Sequence, residues 1–122
     1  MIGYTTVGTN DLKRAGAFYD ALLAEMGAKR AMEMETFIAW ATEPNTPMVA
    51  VIKPFDGKAA TVGNGVMVAL AASSKEQVNA IHKKALALGG KDEGAPGPRG
   101  PGFYAGYFRD LDGNKLNAFF MG

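Results

Sequence analysis

Apolar and polar positions along the chain fall into two series that repeat in the same order. Ile2 to Gly8 has the composition of a strand. Asn10 then offers an N-cap for a helix whose apolar residues Leu12, Ala15, Phe18, Tyr19, Leu22, Leu23 and Met26 recur at helical spacing, and Gly27 ends it. Three extended runs follow: Ala28 to Met34, Thr36 to Thr42 and Met48 to Lys53. The segment Glu43-Pro44-Asn45-Thr46-Pro47 between two of them reads as a turn, since proline has no N–H to give to a sheet.

After a linker from Pro54 to Gly65 the series starts again. Val66 to Ala72 predicts a strand. Ser73 and Ser74 predict helix caps, with Glu76 and Gln77 each three residues after a serine as in a capping box. Val78, Ile81, Ala85 and Leu88 form the apolar stripe of that helix, and Gly89-Gly90 closes it. A short strand at Lys91 to Glu93 and a Gly/Pro loop from Gly94 to Gly102 lead into a terminal hairpin. Its strands are Phe103 to Phe108 and Leu116 to Met121, joined by an Asp-Gly-Asn turn in which Gly113 and Asn114 tolerate positive φ.

The order strand, helix, then two or three strands is therefore written twice. The expected class is α+β: two βαβββ repeats forming a curved mixed sheet, with helices outside and a cup inside. The expected organisation is a single domain over 1–122, with repeat one at about 1–54, a linker at 55–64 and repeat two at about 65–122. A ferredoxin-like sandwich is the alternative, but it leaves the strands from Thr36 to Lys53 poorly explained.

Composition narrows the chemistry. With 122 residues the chain can bury a core without staples, and 48% hydrophobic against 20% charged residues is ordinary for a globular protein. A formal charge of +1 without a cluster of Lys and Arg among aromatics argues against nucleic-acid and membrane-surface partners. The chain has no cysteine, so disulfides, thiolate metal sites and a cysteine nucleophile are excluded. No apolar run approaches a membrane span and no leader pattern opens the chain, which makes the cytoplasm the expected location.

Several segments together resemble the vicinal oxygen chelate superfamily, which includes glyoxalase I, bleomycin-resistance proteins and extradiol dioxygenases. They are Ile2-Gly3-Tyr4-Thr5-Thr6-Val7 with Asp11-Leu12 and Ala17-Phe18-Tyr19, then Gly63-Asn64-Gly65-Val66-Met67-Val68-Ala69. Ala87-Leu88-Gly89-Gly90, Gly94-Ala95-Pro96-Gly97 and the Arg109-Asp110-Leu111-Asp112-Gly113-Asn114 hairpin complete the set. The resemblance covers nearly the whole chain and implies the glyoxalase-like fold. It also implies that metal ligands, where a member uses them, stand at Tyr4, Met67 and Asn117, with one more position between Val49 and Ile52. Phenol, thioether and carboxamide are a poor set for Zn, Fe, Mn or Ni, so neither a metal nor another cofactor is expected.

Other candidates are weaker still. His82, the only histidine, falls on the flank of the second helix and outside the cup, as a surface or boundary residue. Glu33 and Glu35 alternate with Met32 and Met34, and one such set could face the cup, making Glu35 near Asn117 the least unfavourable carboxylate for metal or acid/base work. Asp110, Asp112 and Asn114 begin like a calcium loop, but Lys115 stands where glycine is wanted and Met121 where a carboxylate is wanted. Gly63-Asn64-Gly65 precedes a strand rather than a helix, and so reads as a bend rather than a phosphate loop.

What remains is a binding site. Strand parity offers Tyr4, Trp40, Met67, Tyr107, Asn117 and Phe119 as ligand-binding side chains, with Arg99 in the Gly/Pro loop as a clamp for a carboxylate or phosphate. The expected function is to bind a small organic molecule in the cup without a tightly held metal. The alternatives are a metal-dependent lyase, isomerase or dioxygenase of the glyoxalase I type, and an interaction module whose cup is filled by side chains. The resemblance further implies a homodimer, and the linker is long enough for the two copies to exchange halves.

Overall fold

The computed structural model describes residues 1–122 and contains two βαβββ units in succession. The first consists of β1 (Tyr4–Gly8), α1 (Leu12–Ala24), β2 (Lys29–Met34), β3 (Phe37–Ala41) and β4 (Met48–Ile52). The second consists of β5 (Val68–Ala71), α2 (Lys75–Ala87), β6 (Lys91–Pro98), β7 (Phe103–Arg109) and β8 (Lys115–Met121). Each unit builds its own four-stranded mixed sheet, ordered β1-β4-β3-β2 and β5-β8-β7-β6. The two expected βαβββ repeats and their mixed sheet are present, the sheet being in two parts because β1 and β5 pair on one side only, each in parallel with the last strand of its own unit.

Helix α1 forms because its apolar residues fall on one stripe, so that Ala15, Phe18, Tyr19, Leu22 and Leu23 are buried together. Its N-cap is Asp11, whose carboxylate accepts from the Arg14 amide, and not Asn10. Asn10 is drawn instead to the linker, accepting from the Ala60 amide at 2.7 Å. Helix α2 begins as expected at Ser74, which accepts from the Gln77 amide, while the Gln77 side chain accepts from the Ser73 amide.

One core of 16 buried residues joins both units. Ile38, Trp40 and Val51 from the first sheet, Leu70, Phe108, Leu116 and Ala118 from the second, and the stripes of both helices all belong to it. Full burial of each large side chain contributes about 1.5 to 3 kcal/mol. Each sheet therefore has a helix-facing side and an opposite, inner side. On the first sheet the inner side carries Phe37, Ala39 and Ala50, which form a small separate cluster with Met48 and Ile52.

The second unit departs from expectation at β6. The Gly/Pro segment is a strand through Pro98, with register breaks after Asp92 and Gly94 where prolines and glycines interrupt the ladder. In the terminal turn only Gly113 takes positive φ, at 89°; Asn114 does not, because its side chain is held by Asp110 and by the Gly8 carbonyl. No helix is long and apolar enough to cross a membrane.

Candidate functional site

Five of the seven residues expected from the sequence come from the second unit. Asn117 lies opposite Tyr107 on one side and Ala69 on the other. Phe119 shares its face and stacks on Phe103, with ring centres 5.6 Å apart and an angle of 18° between planes. Arg99, just beyond β6, places its guanidinium carbon 5.5 Å from the centre of the Tyr107 ring. Met67, just before β5, is 40% exposed. On the first sheet Tyr4 is 56% exposed and meets Phe37 edge to face at 5.8 Å.

Trp40 reaches the site from the other side of its sheet, as a lining residue of a cavity between the two units. It faces α1, not the inner side: the indole packs on Tyr19 at 5.6 Å and donates to Asp20 at 2.8 Å. Ile38 and Trp40 alternate with Phe37 and Ala39, and the helix takes the pair with the larger, hydrogen-bonding member. Glu33 follows Trp40 to that side and pairs with Arg30, whose guanidinium also grips Asp20 and covers the indole at 5.8 Å. Arg30, and after it the Trp40 N–H, hold the Asp20 carboxyl below the usual range. The inner positions beside Glu33 belong to Met32 and Met34, which lie opposite Ala39 and Phe37. Glu35 lies between β2 and β3, exposed.

His82 is outside the cup but buried, not superficial: it is 6% exposed under β7, edge-on to Phe108, with Nε2 3.0 Å from Asp92 Oδ1. Asp92 is drawn below the usual carboxylate range by the Gly94 amide and then by His82.

Two cavities flank Met67. The first, of about 490 Å³, opens between the two units, lined by Thr5 of β1, Trp40 of β3, Met48 and Val49 of β4, the end of α1 and Met67 to Ala71. Thirteen of its 17 lining residues are hydrophobic, the usual balance of a small-molecule site. The second, of about 630 Å³, lies between the Val62–Met67 segment and Tyr107, Arg109 and Lys115 of the second sheet.

Only two buried side-chain polar atoms in the chain have no hydrogen-bond partner, Thr5 Oγ1 and Asn117 Oδ1. Thr5 lines the first cavity; Asn117 lies opposite Ala69, which also lines it. Sequence reasoning missed Thr5 because strand parity places it on the side opposite Tyr4. It also missed Lys115, whose spacing of two from Asn117 was the available signal.

A divalent metal does not fit this arrangement. No three His, Cys, Asp or Glu side chains converge anywhere, and the residues at the positions implied by the family resemblance are a half-exposed phenol, a thioether and a carboxamide.

The family model described as "Glyoxalase/Bleomycin resistance protein/Dioxygenase superfamily" matches residues 1–118. Among solved structures, the chain is similar to a glyoxalase/bleomycin resistance protein from Albidiferax ferrireducens, with 36% identity, a TM-score of 0.92 and coverage of 100% of this chain and 99% of that one. It shares its fold with lactoylglutathione lyase from Agrobacterium tumefaciens, at 20% identity, a TM-score of 0.70 and coverage of 98% and 92%. A glyoxalase/bleomycin resistance protein/dioxygenase family enzyme from Burkholderia phytofirmans has the same fold at 14% identity, with a TM-score of 0.77 and 98% of each chain covered. No curated protein matches the chain.

Proposed function

The chain belongs to the glyoxalase/bleomycin resistance protein/dioxygenase superfamily, and from that premise we propose that it binds a small organic molecule without a tightly held metal. The observation that carries this reading is the position of the two unpartnered oxygens. A buried polar atom without a partner costs about 1 to 3 kcal/mol, and such atoms are few in native proteins. Thr5 lines the mostly apolar cavity between the units, where a ligand's donor would satisfy it, and Asn117 lies on the next strand, opposite Ala69 of that cavity's wall but outside the lining itself. Binding or sequestration of the drug-resistance kind uses such a site directly. Metal-assisted lyase or dioxygenase chemistry needs ligands that Tyr4, Met67 and Asn117 do not supply.

The acting unit in this reading is a homodimer. Strands β1 and β5 each have one edge without a neighbour, and Ile2, Tyr4, Val66 and Met67 along or beside them are exposed. A second copy covering these edges would close the cup.

The test combines elemental analysis of purified protein with a thermal-shift screen of small aromatic and apolar compounds. The reading expects no stoichiometric transition metal and at least one compound that raises the unfolding temperature, since a ligand of the native state must stabilise it. A stoichiometric transition metal would reinstate the metal-dependent alternative. A metal-free protein that no compound stabilises would favour a filled cup and an interaction role.

A further inference from the structure

Two cations of the second unit converge on one aromatic ring, and neither has an acid to pair with. The Lys115 ammonium and the Arg99 guanidinium each lie 5.5 Å from the centre of the Tyr107 ring, so the charges stand no farther apart than twice that span. All the ion pairs of the chain involve other residues. Arg99 is aimed by backbone carbonyls instead, donating to Ala95 at 2.6 Å and Pro98 at 3.4 Å. Arg109, on the same face of β7, differs in being neutralised by Glu93 and donating to the Gly113 carbonyl.

Tyr107, Lys115 and Arg109 form one wall of the 630 Å³ cavity, and no carboxylate lines it. The opposite wall is the turn closed by the Val66 amide on the Gly63 carbonyl, in which the Asn64 and Gly65 amides donate to no backbone group of the protein. A lysine without a counter-ion, free amides and an aromatic face together form the donor set of an anion site. The face of one tyrosine offsets only part of the repulsion between two cations.

We propose that this cavity holds the carboxylate or phosphate group of a small organic anion, with Lys115 as its charge partner and Tyr107 beside it, while Arg99, outside the lining, adds positive charge from its place over the same ring. Met67 lines both this cavity and the apolar one, so a single ligand can place its charged group here and its apolar body there. The assignment rests on the ligand-binding reading above and adds the charge that the ligand carries.

The experiment is a titration of the purified protein with benzoate, phenyl phosphate and benzyl alcohol, followed by calorimetry and by amide chemical shifts. At least one anion is expected to bind about tenfold or more tightly than the alcohol, as charge-assisted hydrogen bonds imply. The shifts should centre on Asn64, Gly65, Tyr107 and Lys115. Benzoate and phenyl phosphate decide between the two anionic groups. Lys115→Gln should weaken the preferred anion by about tenfold while leaving benzyl alcohol unchanged, and Arg99→Gln, outside the lining, should weaken it less. Lys13→Gln, on the exposed side of α1, should change neither.

Equal affinity for anions and alcohol, or an equal loss in Lys13→Gln, would overturn the anion site. Binding of benzyl alcohol alone, with shifts around Thr5 and Met67, would do so while leaving the ligand-binding reading intact. No binding of any probe would count against both.

Discussion

The Tyr19 hydroxyl, on the helix of the first unit, donates a 2.6 Å hydrogen bond to Asp110 Oδ2 at the terminal hairpin of the second. Both are buried, at 1% and 5% exposure. Asp110 also accepts from the Asp112 and Asn114 amides and from the Asn114 side chain, which in turn donates to the Gly8 carbonyl of β1. The Asp-Gly-Asn turn is therefore more than a tight connection. Its carboxylate ties α1, β1 and the β7–β8 hairpin together, and so fixes the second sheet relative to the first unit.

Tyr19→Phe removes one donor from this carboxylate and leaves three. Loss of a buried hydrogen bond to a charged group should cost about 2 kcal/mol at neutral pH, measured by urea unfolding. Burial, and after it the charge of Asp110, raises the Tyr19 hydroxyl well above its ordinary value of 10.0. The unfolded chain therefore loses this proton first, so the contribution is complete below pH 10.0 and declines as pH rises beyond it. The gap between wild type and Tyr19→Phe should narrow above pH 10.0. A gap that stays constant into strong alkali would contradict the assignment.

The fold was legible in the sequence because the helix stripes and strand runs occur twice, and a pattern written twice corrects its own local ambiguities. Strand parity was legible too, which is why Tyr107, Asn117 and Phe119 lie on one face as expected. Parity does not say which face the helix takes, and Trp40 turns to the helix side, where Asp20, twenty residues earlier, offers its N–H a partner; it lines the cavity between the units from there. His82 was misjudged because its burial depends on β6 and β7 packing over it, with Asp92 as its partner, and on a β6 that runs on past Glu93 to Pro98 through prolines that hide its strand character. The cavities were illegible because they depend on how the two units sit, a matter decided by long-range contacts such as Tyr19 to Asp110.

Asp20 gives a second pH test, at the acidic end. Its folded value is lowered from 3.8, chiefly by Arg30. A lowered carboxylate contributes stability that is present above its unfolded value and is lost as pH falls through the folded one. Asp20→Asn should therefore be less stable than wild type at pH 7, and the difference should shrink below pH 3.8. Because the pair is partly exposed, the effect should stay under about 1 kcal/mol and diminish in high salt. The check is a set of urea midpoints at neutral and acidic pH.

The bare edges of β1 and β5 predict the state of assembly. Sedimentation at micromolar protein should show a dimer. Tyr4→Lys and Val66→Lys, at exposed positions of 56% and 62%, should weaken it without loss of helical circular dichroism. A wild-type monomer at every concentration tested would remove the dimer from the proposed function and leave each edge to be covered some other way.

Asn117→Leu separates stability from function most directly. In the free protein Asn117 is 2% exposed and its Oδ1 has no partner, so an apolar side chain of similar volume removes a cost and gives up no hydrogen bond of that atom. The variant should unfold at the same temperature as wild type or a few degrees higher, a gain of up to about 2 kcal/mol. If the carboxamide is there to meet a ligand, the same variant should lose the thermal shift that the ligand gives to wild type. Any compound found by screening serves for this comparison, with Asn117→Asp as a second variant that keeps the acceptor. A residue kept at the expense of stability has its reason in binding. If Asn117→Leu were strongly destabilised, the carboxamide would be part of the packing instead, and the case for a site would rest on Thr5 and the cavity it lines.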